Sequence, residues 1–194
     1  INDVLRGSGR LKQSVAESSF DAWTKYYRQD ENSPNAIVSY YAKGSLVALA
    51  LDLTIRAETK GKKSLDHVMR ALWQRYGRDF YTAGRSGGKG VTEADVDALF
   101  DEVTGLKLKR VLDRYVRGTE DLPLAKLLAP FAMSLSDNRK DAKLGFGVRT
   151  KASGNDCTLD KVYEHGAAHR AGLSAGDVLV AMDGLRVSVK NLDT

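Results

Sequence analysis

The chain has 194 residues, 42% of them hydrophobic, which is enough to bury one large or two small cores, and we expect two domains. Its formal net charge of +5 comes from 30 basic residues interleaved with 25 acidic ones, so the clustered basic surface of a nucleic-acid-binding protein is missing. No stretch reaches the roughly 18 consecutive apolar residues of a membrane-spanning helix, and the single cysteine excludes an internal disulfide.

Helical patterns dominate the chain from residue 9 to about residue 133. An amphipathic segment with an aromatic end occupies residues 11–23, and a polar break follows at residues 30–35. Residues 46–55 are apolar almost all round. Such a segment is typical of a helix at the centre of a bundle.

Three further helices have explicit start or stop signals. Ser64 is a candidate N-cap for a helix that ends at Gly77, and Thr92 begins the next one in capping-box style. A last helix is predicted over residues 106–116. We therefore predict an all-α helical bundle over residues 1–133.

After a polar, turn-rich linker at residues 134–142, the pattern changes to short strands and glycine turns. Gly172 and Gly176 flank a turn that needs positive φ, and Asp183-Gly184 is a hairpin signal. Short alternating runs of this kind indicate a small β-rich domain. The predicted strands cover residues 147–150, 158–163, 178–182 and 185–189.

Two runs in this region, residues 144–147 and 171–179, resemble the two halves of a PDZ domain in order and spacing. In that family the backbone N–H groups of the first run face a peptide carboxylate. A PDZ domain continues into a second helix that walls its groove, so we predict a truncated α+β partial barrel over residues 143–194, with exposed apolar strand surface. The resemblance implies a peptide-binding loop formed by Leu144, Gly145, Phe146 and Gly147.

Three histidines and one cysteine are the candidates for metal or nucleophilic chemistry. His165 and His169 are four residues apart, but Gly166 takes the place of the glutamate in a His-Glu-x-x-His zinc motif. His67 is predicted at the surface, and the polar residues before Cys157 predict an exposed loop. We therefore predict no metal site in this chain.

Tyr41 stands just before the apolar segment, in the run Tyr41-Ala42-Lys43-Gly44. We expect Gly44 to permit a turn that holds Tyr41 at the mouth of a buried element, with the adjacent Tyr40 pointing elsewhere. The alternative is a tyrosine that packs on the bundle with its hydroxyl in water.

This Tyr-x-Lys-Gly run followed by an apolar helix resembles the start of the helical region after the zinc site in thermolysin-like aminopeptidases. The fuller similarity is to the glycyl aminopeptidase family, whose members have a thermolysin-like catalytic domain, a helical subdomain and a PDZ domain. The similar segments, in order, are residues 18–23, 40–44, 51–56, 118–124 and the PDZ runs.

The resemblance implies a C-terminal piece of a zinc-dependent aminopeptidase that removes small N-terminal residues, such as glycine or alanine, from peptides. In such an enzyme zinc polarises the scissile carbonyl and activates water, and Tyr41 is the residue that donates a hydrogen bond to the oxyanion. The family's zinc ligands would precede Ile1, so we expect this fragment to hold no zinc and to be inactive by itself. The family resemblance also suggests that the protein is periplasmic or secreted.

A second function remains open from the sequence. A non-catalytic adaptor could combine a helical bundle with a PDZ module and bind peptide termini by strand addition. The residues upstream of Ile1 separate the two hypotheses, because the enzyme requires a His-Glu-x-x-His motif there. Substrate specificity, PDZ ligand and oligomeric state do not follow from the sequence.

Overall fold

The computed structural model describes residues 1–82, 88–136, 145–154 and 156–192. Its contacts divide the chain into two compact units, one made of residues 1–43 and 136–194 and the other of residues 44–135. Most of the linker predicted at residues 134–142 lies outside the described residues. The domain boundaries inferred from the sequence stay a prediction.

The N-terminal part of the first unit is built from short helices. The elements are α1 (Asn2–Arg6), a 3₁₀ turn (Ser8–Leu11), α2 (Val15–Phe20), a π-helical turn (Ala22–Tyr26), α3 (Ser33–Ala36) and the start of α4 (Tyr40–Glu58). A capping box begins α2, because Glu17 N–H donates to Ser14 Oγ at 3.1 Å and Ser14 N–H donates to Glu17 Oε2 at 2.8 Å. The buried Ser18 hydroxyl donates to Val38 O at 2.5 Å and ties this helix to the chain before α4.

The second unit continues α4 and is helical. After α4 the elements are α5 (Leu65–Leu72) with a π-helical turn (Trp73–Gly77), α6 (Glu93–Thr104), α7 (Lys109–Leu112) with a π-helical turn (Asp113–Arg117), and α8 (Leu124–Leu128) with a 3₁₀ turn (Ala129–Phe131). The core of this unit includes Ile55 of α4 and Leu99 of α6, both 0% exposed, whereas Leu49 of α4 is 40% exposed. The apolar segment is thus buried on most, but not all, of its sides.

The cap predicted for α6 is present in this unit. Thr92 N–H donates to Asp95 Oδ2 at 3.0 Å, and Asp95 N–H donates to Thr92 Oγ1 at 3.2 Å. The helix ends at Gly105, whose φ of 74° is left-handed. The predicted start of α6 at Thr92 is therefore confirmed, and Gly105 is its left-handed C-cap.

The stretch Ser33–Glu58, which covers both α3 and α4, is long and apolar enough for a membrane span by length and composition alone. Its most apolar window has a mean hydropathy of 1.3. A third of that window (33%) is buried inside the protein. A core helix passes the same test, so this is weak evidence for a span.

The C-terminal part of the first unit is a pair of small antiparallel sheets. Strands β1 (Val148–Ser153), β2 (Asp156–Val162) and β3 (Val178–Leu179) pair in that order, with α9 (Ala167–Arg170) between β2 and β3. A second sheet pairs β4 (Ala181–Met182) with β5 (Leu185–Arg186). A helical region followed by small antiparallel sheets confirms the predicted fold class.

The strand predicted over residues 178–182 is wrong as a single element. Its first half pairs with β2 and its second half pairs with β5, so the chain changes sheet at Val180. Val180 O accepts from Val187 N–H at 3.0 Å, and its side chain is 65% exposed. The hairpin turn predicted at Asp183-Gly184 is present, with a positive φ at both Asp183 (51°) and Gly184 (78°).

Alternation along β2 decides which of its side chains are buried. Cys157 and Leu159 are 0% and 1% exposed, because every second residue of a strand faces the same side. The exposed loop predicted for Cys157 is therefore wrong. Apolar strand surface is nevertheless exposed, as expected, at Val178 and at Leu185, which is 74% exposed.

Candidate functional site

Tyr41 lies in the first turn of α4 and is 59% exposed. The helix begins after Ser39, whose Oγ accepts from Ala42 N–H at 3.1 Å. Gly44 lies inside the helix, so the turn expected there is wrong. The side-chain cap at Ser39, rather than a glycine turn, places Tyr41 at the helix start.

Lys43 anchors the same turn from the opposite side. It is 1% exposed, and its Nζ donates to Arg10 O at 2.8 Å. A buried ammonium needs such a partner because desolvation of an unpaired charge is costly. Lys43 therefore fixes the first turn of α4 against the 3₁₀ turn at Ser8–Leu11.

The exposed side of this helix start carries a cluster of aromatic rings. The rings of Tyr40 and Tyr41 lie 4.2 Å apart, and the ring of Tyr26 lies 5.2 Å from Tyr40 and 6.0 Å from Tyr41. Tyr27 Oη lies 3.0 Å from both Tyr40 Oη and Tyr41 Oη. Tyr40 thus belongs to the same cluster, and the expectation that it points elsewhere is wrong. We call Tyr26, Tyr27, Tyr40 and Tyr41 the tyrosine cluster.

Hydrogen bonding makes the two adjacent phenols unequal. The hydrogen bonds with Tyr27 and then with Tyr40 lower the pKa of Tyr41. The hydrogen bonds with Tyr27 and then with Tyr41 raise the pKa of Tyr40. A phenol that accepts hydrogen bonds is the stronger acid and the better donor to a developing negative charge.

The predicted peptide-binding loop is described from Gly145 onward, and Leu144 lies outside the described residues. Phe146 O accepts from Ala168 N–H and Gly147 O accepts from Tyr163 N–H, both at 2.9 Å. Within the described part of the chain, the N–H groups of Gly145, Phe146 and Gly147 have no hydrogen-bond partner. The carbonyls of Phe146 and Gly147 are thus fixed, and no described residue occupies the three N–H groups.

Both the backbone conformation and the packing at position 147 require a glycine. Its φ is 73°, and a Cβ placed on it would lie 2.8 Å from Gly166 Cα. The two glycine backbones therefore touch directly and hold the loop beside α9.

An apolar cavity of about 140 Å³ opens beside this loop. It is the space between the two small sheets and α9. Its size suits one aliphatic side chain rather than a drug-sized ligand, for which pockets are typically ~300 Å³ or larger. The wall includes Phe146, Val148, Leu159, Leu179 and Val187.

A polar contact joins the β-rich segment to the first helices within the same unit. The Glu164 carboxylate accepts from Lys12 Nζ at 2.6 Å and from Ser8 Oγ at 2.6 Å. The buried Asn35 amide donates to Val162 O at 2.7 Å and its Oδ1 accepts from Glu164 N–H at 2.9 Å. The hydrogen bonds from Lys12 and Ser8 lower the pKa of Glu164 to about 2.

Glu164→Gln is expected to lower the melting temperature of the chain at pH 7. The depressed pKa means that the carboxylate stabilises the folded state above about pH 4.5 and loses this effect as the pH falls toward 2. The difference in melting temperature between wild type and variant should therefore shrink from pH 7 to pH 2. Glu102→Gln is the control, because Glu102 pairs with Arg75 at 2.6 Å but is 59% exposed, against 25% for Glu164. Equal losses of melting temperature in the two variants would contradict the stabilising role of the Glu164 carboxylate.

The histidines do not form a metal site. Among residues 1–82, 88–136, 145–154 and 156–192, no group of three His, Cys, Asp or Glu side chains could hold a metal ion. The His165 and His169 rings lie 6.3 Å apart. His67 is half-buried at the start of α5, where its Nδ1 accepts from Ser64 N–H at 3.2 Å. The residues that the structure describes therefore do not fit zinc.

The sequence carries a signal for only some of the contacts that hold the site. Ser14-x-x-Glu17 is a capping-box pattern that marks the start of α2, and the helical pattern alone did not reveal it. Lys43 lies within the Tyr-x-Lys-Gly run, but its partner is a backbone carbonyl 33 residues earlier. Only the fold reveals that contact, and the same holds for the hydroxyl contacts of Tyr27.

Two family models match this chain. The M61 glycyl aminopeptidase model matches residues 1–47, which include the tyrosine cluster. The PDZ domain model matches residues 133–194, which include the Gly145–Gly147 loop. Both resemblances inferred from the sequence are confirmed.

Two chains of solved structures also match. One is the crystal structure of an aminopeptidase N family protein from Idiomarina loihiensis, with 36% identity and a TM-score of 0.83. The match covers 99% of this chain and 34% of that chain, so the present chain spans about a third of its relative. A search of curated proteins found no match.

Proposed function

Because residues 1–47 match the M61 glycyl aminopeptidases and a PDZ segment follows, we propose that this chain is part of a zinc-dependent aminopeptidase that releases small N-terminal residues, such as glycine and alanine, from peptides. One observation carries the proposal. Tyr41 is exposed on the first turn of α4, in a segment that matches a peptidase family and is similar to part of an aminopeptidase N family protein.

In this proposal Tyr41 donates a hydrogen bond to the oxygen of the scissile carbonyl as negative charge develops there. Such a donor stabilises the transition state more than the bound substrate. Ser39 and Lys43 hold the helix start and thereby fix the position of Tyr41. The described residues contain no group of three His, Cys, Asp or Glu side chains that could hold a metal ion, and the zinc and its ligands are proposed to lie elsewhere in the parent protein.

The PDZ segment is proposed to bind the C-terminus of a peptide. The N–H groups of Gly145, Phe146 and Gly147, which bond to no other described residue, suit a carboxylate, which favours several donors at once. The adjacent cavity of about 140 Å³ would take an apolar C-terminal side chain. The same geometry also supports the second candidate function, a non-catalytic adaptor.

A cleavage assay with the full-length protein distinguishes the two functions. We expect release of the leaving group from glycyl and alanyl anilides, slower release from a leucyl anilide, and none from N-acetylglycyl anilide, which lacks the free amine. An adaptor would cleave none of the four and would still bind a peptide with a free C-terminal carboxylate.

The isolated 194-residue chain is expected to purify without stoichiometric zinc and to cleave no aminoacyl substrate, because its described residues offer no ligand set. Elemental analysis by mass spectrometry measures the zinc content. One tightly bound zinc per chain would contradict this prediction and show that the chain holds a ligand set of its own.

A further inference from the structure

Three hydroxyl groups in the tyrosine cluster form a continuous row. Tyr27 Oη occupies the middle, at 3.0 Å from Tyr40 Oη on one side and 3.0 Å from Tyr41 Oη on the other. Each phenol has one proton to donate and can also accept. The direction in which the protons point therefore decides whether Tyr41 keeps its own proton for a ligand.

We propose that Tyr27 is a positioning residue: its hydroxyl, 3.0 Å from both Tyr40 Oη and Tyr41 Oη, holds the Tyr41 hydroxyl in place for donation to the substrate oxygen. This inference rests on the proposed function of Tyr41. It assigns a role in the reaction to a residue 14 positions upstream, on a different element.

The opposite pKa shifts of the two outer phenols favour one order of donation in this row, from Tyr40 to Tyr27 and from Tyr27 to Tyr41. The pKa of Tyr41 is lowered by the hydrogen bond with Tyr27, which is expected when Tyr41 is the acceptor. The pKa of Tyr40 is raised by its hydrogen bond with Tyr27, which is expected when Tyr40 is the donor. Hydrogen bonds that follow one another in one direction also polarise each other, which strengthens the last donor.

The surrounding rings hold the row in place. Tyr27 follows the π-helical turn Ala22–Tyr26, and turns of this type are frequent at functional sites. The ring of Tyr26 packs edge-on against Tyr27 at 5.4 Å and against Tyr40 at 5.2 Å. The Tyr26 hydroxyl is directed to Ser39 Oγ, 3.1 Å away, and takes no part in the row. Among the described residues, the titratable groups in contact with Tyr41 thus include Tyr26, Tyr27 and Tyr40.

The first test needs no catalysis. In the 194-residue chain with ring-labelled tyrosine, NMR titration should show Tyr41 ionising at a lower pH and Tyr40 at a higher pH than an ordinary tyrosine. Tyr27→Phe should move both back toward the ordinary value. Tyr26→Phe, which removes only the hydroxyl that faces Ser39, should leave both in place. An unchanged Tyr41 titration in Tyr27→Phe would overturn the inference.

The second test uses the full-length enzyme. Tyr27→Phe should lower kcat roughly 2- to 12-fold, the effect of one hydrogen bond, with little change in KM. It should also move the alkaline limb of the pH–rate profile to higher pH, because Tyr41 would keep its proton longer. Tyr81→Phe, at an exposed position outside the tyrosine cluster, should leave both unchanged.

The outcomes separate this inference from the proposed function. If Tyr41→Phe lowers kcat but Tyr27→Phe leaves both kcat and the alkaline limb unchanged, Tyr27 is not a positioning residue and the inference fails. If Tyr41→Phe itself has no effect, the proposed function of Tyr41 fails, while the titration still decides the direction of the hydroxyl row.

Discussion

In the full-length enzyme, Tyr41→Phe is expected to lower kcat on the order of 10²–10³-fold with little change in KM. The substitution keeps the ring that packs 4.2 Å from Tyr40 and deletes only the hydroxyl. A donor that acts chiefly in the transition state changes kcat and kcat/KM equally, whereas loss of a packing residue reduces stability instead. Steady-state kinetics together with a melting curve measure both.

Tyr81→Phe is the matched control for this prediction. Tyr81 is 94% exposed and contacts the ring of Phe80, outside the tyrosine cluster. Its hydroxyl should have no effect on kcat. Near-normal kcat in Tyr41→Phe, with folding and zinc content unchanged, would reduce Tyr41 to a packing residue.

Gly147→Ala is expected to unfold or distort the PDZ loop. The left-handed φ of 73° costs an alanine about 1–2 kcal/mol. The added Cβ would also lie 2.8 Å from Gly166 Cα, and crowding of this kind costs a further ~1–3 kcal/mol. Hydrogen exchange in β1 and β2 should accelerate, and binding of a peptide C-terminus should be lost.

Gly172→Ala isolates the conformational part of this effect. Gly172 also has a positive φ, 82°, but nothing lies within 4 Å of a Cβ placed there. The Gly172 variant should therefore be less destabilised than the Gly147 variant and keep its peptide binding. Equal destabilisation would mean that the contact between Gly147 and Gly166 contributes little.

Sequence patterns predict helix starts and turns well, because the interactions that form them join residues close together in the sequence. The capping box at Thr92 and the hairpin turn at Asp183-Gly184 both depend on residues within a few positions of one another. The split of residues 178–182 between two sheets depends on partners far along the chain. The exposed loop predicted for Cys157 is wrong for a similar reason, because polar neighbours in the sequence do not reveal which face of a strand is buried.

The candidate site shows the same limit. The Tyr-x-Lys-Gly resemblance identifies Tyr41 as the candidate catalytic residue, and Tyr41 lies on the exposed start of α4. The partners that set its hydrogen bonding were not predictable, because Tyr27 lies across a polar break and Lys43 binds a distant backbone carbonyl. Long-range contacts of this kind have no signature in a single sequence.

The most direct test of the peptidase assignment is the zinc dependence of the full-length protein. We expect one zinc per chain by elemental analysis, hydrolysis of a glycyl anilide, loss of both after treatment with a chelator, and recovery of both when zinc is restored. A folded full-length protein that contains no zinc and hydrolyses no aminoacyl substrate, yet binds a peptide C-terminus, would contradict the peptidase assignment and establish the adaptor.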